Sequence, residues 1–312
     1  MIKKNLMVNG EFYVCPVYNE LISKGRVIKH FRSMRCGVLE LLRMLKSSRD
    51  TIKETLKVIV PMAGRGSRFA AEADTNPAYQ VPKPLIDVKG RPMVVWALDS
   101  LKKLEFKPED LIFVCQQEHD DKYSVAASLK NIFGEHITVV LIPAVTRGAV
   151  ETVLMVKKYV DPEEEIIISD SDHFFDGTNL VNEITNSRNK VDGIIPVFKV
   201  VDKDPKWSYT LTDVDNFALA VGEKDEALAA KGAYANIGAY YFAKSKVFFS
   251  VAEEAVRINE MYGAEGKMEF YVAPMYQRML DKGLKVKVAI ISEVWGLGTP
   301  KDLENFLSNY NK

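Results

Sequence analysis

Between residues 56 and 62 the chain reads LKVIVPM, an apolar, β-branched run that ends at AGRGSR. Such a run followed by glycines predicts a buried strand feeding a Gly-rich loop. LIFVCQ (111–116) and ITVVLIP (137–143) repeat the strand pattern, and EEEIIISDSD (163–172) predicts a strand that stops on acids. DGIIPVFKV (192–200), ANIGAYYF (235–242) and residues 284–291 predict three more. WSYTLTDVDNFALAVGEK (207–224) alternates on either side of Asp215-Asn216, as a β-hairpin does. Helical spacing recurs in GRPMVVWALDSLKKL, which opens with Pro92 in its first turn, in GAVETVLMVKKYV (148–160), in 244–259 and near 270–282. FAAEADTNPAYQVPKPLIDV (69–88) is too interrupted by proline for a helix. Alternating strand and helix with an inserted hairpin predicts an α/β fold on a mixed, mostly parallel central sheet. Ligands of such sheets bind outside the carboxyl ends of the strands. The Gly loop and Asp170-Ser171-Asp172 both fall there.

A length of 312 residues suits one large α/β domain, or a domain with an appendage. Apolar residues make up 47%, enough for a sizeable core. Lys+Arg and Asp+Glu both number 42, so the formal net charge is zero. That balance argues against a nucleic-acid polymer or a membrane surface as partner, but leaves room for a local basic pocket. Cys15, Cys36 and Cys115 lack metal-ligand spacing and read as thiols of a reducing compartment. MIKKNLMVNGEF has no apolar core of signal-peptide length, and no run approaches the ~20 residues of a membrane span. A cytoplasmic location is expected.

Candidate chemistry begins at GRGSR, Gly64 to Arg68. Glycines let backbone N–H groups turn toward an anion, and Arg68 adds a forked cation. The loop alone reads as an ordinary turn more readily than as an anion site. It is neither a Walker loop nor a G-x-G-x-x-G, since Phe69 holds the third glycine's place. In VPKPL, Lys83 stands between two prolines on a stiff extended segment, so it has little freedom to lose on gripping a phosphate. His173 beside Asp172 reads as hydrogen-bonded structure, and Phe174 and Phe175 as core. For Trp207, Tyr209, Tyr240 and Tyr241, core and sugar-stacking roles both fit, with core favoured.

Taken together, VPMAGRGSRF…PKPLIDVKGRPMVVWAL resembles the signature of the nucleotidylyltransferase (sugar-phosphate pyrophosphorylase) family, in the form found in bacterial capsule and surface-polysaccharide pathways. The likeness runs from about residue 56 to residue 312. It implies a Rossmann-like GT-A nucleotidyltransferase fold and the reaction NTP + sugar 1-phosphate → NDP-sugar + pyrophosphate. By the same resemblance Ala63, Gly64, Gly66 and Arg68 hold the nucleotide's phosphates, and Lys83 lies against them at the reacting centre. Gly148 and Ala149 line the base. Asp172, helped by Asp170, binds Mg²⁺. Glu223 and Lys224 hold the sugar phosphate, Gly238 lets the sugar approach, and Glu269 belongs to the acceptor site. One departure stands out: relatives carry Trp-x-Asp-x-Gly-Thr, whose Asp is a second metal ligand, and here Gly296 takes that place in Trp295-Gly-Leu-Gly-Thr299. Mg²⁺ tolerates few protein ligands where phosphates supply the rest.

No general base is needed, because the attacking phosphate oxygen is already ionised at neutral pH. What the reaction needs is neutralised charge and aligned anions. The expected partners are an NTP and a small phosphorylated acceptor, with self-association left open. Two alternatives stand: a GT-A glycosyltransferase holding Mn²⁺ on Asp170-Ser171-Asp172, and a non-catalytic nucleotide-binding relative, suggested by Gly296. Neither base nor acceptor is spelled out, and relatives with similar signatures act on choline or glycerol phosphates.

EFYVCPVYNELISKG (11–25) repeats EFYVAPMYQRMLDKG (269–283) at eight of fifteen positions. Residues 1–50 therefore read as an appended remnant of a related C-terminal segment, with the likeness confined to about 1–45. Cys36–Met44 can be encoded so that a frame two bases later gives Trp-Gly-Val-Gly-Thr-Pro-Glu-Asp, close to Trp295–Asp302. A frameshifted fusion is the expectation, and its rival is a real amphipathic appendage for dimer contacts. Neither assigns this head any phosphate chemistry.

Overall fold

The computed structural model describes residues 56–200, 207–263, 266 and 268–311, so the readings of residues 1–50 lie outside it. β1 (Leu56–Pro61) buries Val58, Ile59 and Val60 completely and opens into the Gly loop. A single helical turn, α1 (Ser67–Ala70), is followed by β2 (Asp87–Val88), β3 (Arg91–Pro92) and α2 (Met93–Asp99). β4 (Leu111–Gln116) is buried along its whole length and leads through α3 (Gln117–Tyr123) and α4 (Val125–Phe133) to β5 (Thr138–Ile142). After α5 (Ala149–Leu154) come β6 (Glu165–Ser169), β7 (His173–Phe175), α6 (Thr178–Ser187) and β8 (Gly193–Phe198). The hairpin of β9 (Ser208–Thr212) and β10 (Ala218–Glu223) is followed by α7 (Glu226–Ala230), β11 (Tyr234–Asn236) and β12 (Ala239–Phe242). The described chain closes with α8 (Ser245–Arg257), α9 (Pro274–Asp281), β13 (Val286–Ile290), β14 (Val294–Gly296) and α10 (Pro300–Asn309).

The main sheet runs β10-β9-β11-β8-β12-β6-β1-β4-β5, with β13 also paired to β8. β6, β1, β4 and β5 are parallel throughout, as expected of the first half of the chain, and β12 joins β6 antiparallel. Side chains alternate between the two faces of these strands. Ile59, Ile112, Val114, Ile166 and Ile168 pack with α5, α8 and α9 on one face. Val58, Val60, Phe113 and Ile167 pack with α2, α4 and α6 on the other. A third apolar cluster gathers Phe69, Tyr79, Trp96, Phe306 and Tyr310, with Phe174 and Trp295 against it. It seats α10 and the β7–β14 pair beside the Gly loop's helix. No described helix is long and apolar enough to cross a membrane.

Several expectations shift in detail. Ser67–Ala70 forms a helical turn that runs into the start of the segment read as helix-free, and Lys83–Leu85 a 3₁₀ turn within it. The helix over 148–160 ends at Leu154, and the strand over 163–172 stops at Ser169. The strand over 235–242 breaks at Ile237-Gly238 into two, each with its own partners. Tyr209, Tyr240 and Tyr241 are buried core, as favoured. α3, α4, α6, α10 and the β7–β14 pair come from the structure alone.

Candidate active site

The Gly loop is fixed where it leaves β1. Met62 N donates to Val114 O at 2.8 Å, and the Gln116 Nε2 amide donates to Ala63 O at 2.8 Å. Gly64 has no neighbour within 4 Å of where a Cβ would sit, so packing alone does not demand glycine there. Gly66, at φ 60°, needs it: the left-handed turn starts α1, and a Cβ would lie 3.2 Å from Lys83 Cβ. Arg65 and Arg68 are exposed, and neither has an ion pair or hydrogen bond among the described residues. A cavity of about 210 Å³ borders this loop, lined by Arg65, Gly66, Phe69, Lys83, His119 and Lys122 among others.

Lys83 sits between the buried Pro82 and Pro84 and points its ammonium at Asp172, with Nζ 2.7 Å from Oδ2. Asp172 comes from the loop that leaves β6. Leu297 N binds its carbonyl at 2.8 Å, and a Cβ on Gly298 would lie 2.7 Å from Oδ2. So Gly298 faces this carboxylate, whereas a side chain at Gly296 would start 3.5 Å from the Asp302 carboxyl carbon. Asp170 N donates to Gly238 O at 2.7 Å, and a Cβ on Gly238 would fall 2.2 Å from Asp170 Oδ2. Glycine at 238 therefore makes room for a carboxylate, whatever substrate also approaches it.

The electrostatics follow from this crowding. Burial, then the charge of Asp172, pushes the Asp170 carboxyl up, and Glu223 adds to the push. Burial would also raise Asp172, but the Lys83 ammonium holds it below the usual carboxylate range, and the Arg68 charge reaches it too. Burial lowers His173 to about 4. Its Nε2 has no hydrogen-bond partner among the described residues, so the hydrogen-bonded role expected of it is not met at that nitrogen.

Glu223 ends β10. Burial pushes it up to about 7, against the opposing pull of Lys224. Lys224 has φ 55°, a left-handed conformation uncommon for lysine. Its Nζ donates to Tyr271 Oη at 2.9 Å and lies 4.7 Å over that ring, 4.0 Å from Glu223. Glu269 is exposed, and its charge is felt by Glu223 and Lys224. Gly148 has φ 143°, and a Cβ there would strike Phe270 N at 2.5 Å. Backbone bonds from Phe270 N to Arg147 O (2.9 Å) and from Val150 N to Phe270 O (3.1 Å) staple the Gly148-Ala149 loop to the Glu269–Tyr271 segment.

The structure thus gathers Arg68, Lys83, Asp170, Asp172 and Glu223 electrostatically, sets Gly238 against Asp170, and joins Gly148 and Ala149 to the Glu269 segment through backbone. Sequence reasoning missed Gln116, Gly298 and Tyr271. Gly298 had a signal in Gly-Leu-Gly-Thr and Tyr271 in EFYV, whereas Gln116 had none. No group of three His, Cys, Asp or Glu among the described residues could hold a metal by itself. Two oxygen-donor side chains at one strand end do fit Mg²⁺, which takes one or two carboxylates when phosphates complete its shell.

The family model described as "Nucleotidyl transferase" matches residues 58–304. Among solved structures, a nucleoside-diphosphate-sugar pyrophosphorylase from Vibrio cholerae is similar at TM-score 0.64 and 21% identity, over 81% of this chain and 100% of that one. The inositol-1-phosphate CTP transferase from T. maritima gives TM-score 0.61 at 21% identity, over 81% and 96%. A UDP-glucose pyrophosphorylase from Acinetobacter baumanii gives 0.60 at 18%, over 81% and 92%. At these identities the likeness speaks for the fold. No curated protein sequence matches the chain significantly.

Proposed function

The chain belongs to the nucleotidyl transferase family, and on that premise we propose that it transfers a nucleoside monophosphate from an NTP to a small phosphorylated acceptor, a sugar 1-phosphate first among them, and releases pyrophosphate. The observation that carries this reading is the Lys83 ammonium 2.7 Å from Asp172 at the mouth of a loop bearing two arginines with no ion pair or hydrogen bond among the described residues. Cations waiting beside carboxylates at strand ends suit a reaction in which one phosphate displaces another.

In this reading Arg68 and the Gly64–Gly66 amides, with Ala63 behind them, hold the triphosphate and steady the departing pyrophosphate. Lys83 lies at the α-phosphate, where negative charge builds in the transition state. Gly148 and Ala149 border the base. Lys224 takes the acceptor's phosphate, and Glu223 and Glu269 accept hydrogen bonds from its hydroxyls, with Gly238 below. Asp172 and Asp170 would hold Mg²⁺, which supplies charge neutralisation across the phosphates. No residue needs to remove a proton, so the absence of an exposed histidine in this group is no obstacle. The sequence resemblance supports a role in capsule or surface-polysaccharide precursor supply in the cytoplasm.

A glycosyltransferase using Asp170-Ser171-Asp172 is the second reading. It is disfavoured because Arg65, Arg68 and Lys83 exceed what a nucleoside diphosphate requires. The test is pyrophosphate release with Mg²⁺ over CTP, UTP and dTTP, against sugar 1-phosphates, inositol 1-phosphate, and choline and glycerol phosphates. Release with at least one pair is expected. Release with none sinks the proposal: turnover of an NDP-sugar would then favour the transferase, and nucleotide-raised melting without turnover a binding relative.

A further inference from the structure

Gln116 ends β4, which lies between β1 and β5 in the sheet. It stands opposite Ile142, the last residue of β5. On one side, therefore, is the Gly loop, and on the other the 143–148 loop. The Gln116 Nε2 donates to Ala63 O at 2.8 Å. A carbonyl oxygen can only accept, so the amide nitrogen must be the atom that faces it, and Oε1 turns away. Gln116 is only about 5% exposed. Yet Oε1 has no hydrogen-bond partner among the described residues and is not sealed from solvent. It is a fixed acceptor with nothing to accept from.

The surrounding wall has little else to offer. Pro143, Ala144 and Val145 are apolar. The Thr146 hydroxyl is committed to Gly148 O (3.0 Å) and Thr152 Oγ1 (2.6 Å). The Arg147 guanidinium is held by Glu151 and Asn259. On the wall formed by β4 and the 143–148 loop, Gln116 Oε1 is thus a side-chain polar atom left unspent among the described residues. A nucleotide whose phosphates lie on Gly64–Arg68 and whose base borders Gly148 runs that base toward Ala63. The edge farthest from the ribose then goes in deepest.

We infer that Gln116 selects the nucleobase: its Oε1 accepts a hydrogen bond from an amino group at pyrimidine C4 or purine C6. Cytosine and adenine carry that group, where uracil, thymine and guanine carry a carbonyl oxygen. An acceptor held against a carbonyl oxygen leaves two buried acceptors unpaired, which disfavours UTP, dTTP and GTP by about 10–100-fold. This inference rests on the nucleotidyl-transfer reading, because that reading brings a triphosphate to the Gly loop.

The experiment is calorimetric titration of the wild-type chain with CTP, ATP, UTP, dTTP, GTP and inorganic tripolyphosphate, all with Mg²⁺. CTP or ATP should bind about 10–100-fold tighter than the three keto nucleotides. The analogue of the preferred nucleotide with hydrogen in place of the amino group should lose most of that advantage on the unaltered protein. In Gln116→Met, which also releases Ala63 O, the amino-over-keto preference should collapse to within about 3-fold, a ratio in which any shared change in phosphate binding, read with tripolyphosphate, cancels. Preference for a keto nucleotide, equal binding of the analogue with hydrogen in place of the amino group, or an unchanged ratio in Gln116→Met would overturn the inference. Those results leave nucleotidyl transfer standing. Failure of tripolyphosphate and every nucleotide to bind would instead remove the nucleotidyl-transfer reading, and this inference with it.

Discussion

Replacing Lys83 with methionine should move two properties of the site in opposite directions. The ammonium sits 2.7 Å from Asp172 Oδ2, and the two side chains are 25% and 23% exposed. At that separation an effective dielectric near 20 gives about 6 kcal/mol of attraction. Desolvation and partial exposure offset much of it, so removing one partner should cost about 2–3 kcal/mol. Methionine keeps the stem that Gly66 packs against but not the charge. Asp170, Asp172 and Glu223 are then left facing one another without the Lys83 ammonium. A free divalent cation relieves that repulsion directly, so its affinity should rise about 30–150-fold, the factor equivalent to about 2–3 kcal/mol. Pyrophosphate release should meanwhile fall about 10²–10³-fold, as when one preorganised charge is removed from a transition state. The assay is Mn²⁺ titration followed by electron paramagnetic resonance at pH 8, without nucleotide, beside turnover of the same samples. If Lys83→Met binds free Mn²⁺ no better than wild type, the ammonium does not stand in a cation's place, and the reasoning fails.

Arg68→Gln should lower kcat/KM for the NTP about 10²–10³-fold and leave the acceptor KM within about 2-fold, by steady-state kinetics. Gly148→Ala must push a Cβ into the Phe270 backbone at a left-handed φ, at a cost of about 3 kcal/mol. Calorimetry should show its Tm lowered by about 6–12 °C, and an unchanged Tm would remove the staple between the two loops. Glu223 carries a pH signature. Its carboxyl is raised from 4.5 to about 7, so the folded chain holds that proton to higher pH than the unfolded chain does. The protein therefore loses stability as pH climbs from 4.5 to about 7. Glu223→Gln should be more stable than wild type at pH 8, by up to about 3 kcal/mol, and should lose that advantage near pH 4.5 in urea melts.

The central strands β4, β6, β8 and β12 were legible because each is a short apolar run buried on both faces. LIFVCQ can be little else. α3 was not: QEHDDKY buries no residue completely and carries no apolar stripe. The three-residue pairing of β7 with β14 joins positions 173 and 296, and no local signal reports so distant a partner. At the site, the family resemblance pointed to Arg68, Lys83 and Asp172 because charge type and position are written in the sequence. What each glycine faces is not written there. Gly148 proves to accommodate Phe270 backbone, and Gly238 the Asp170 carboxylate. Gln116 escaped notice because at a strand end it looks like any polar stop, and only the closure of Ala63 onto it shows its direction.

The segment from Val294 to Tyr310 supplies the Gly298 face of Asp172 and the aromatic cluster that seats it. On the ribosome, every other wall described here is synthesised before this one. A nascent or prematurely terminated polypeptide lacking it displays the Gly loop with Asp172 unsupported. The site therefore cannot be complete in a chain that stops short of this segment, and a stop codon near position 290 would yield an inert product.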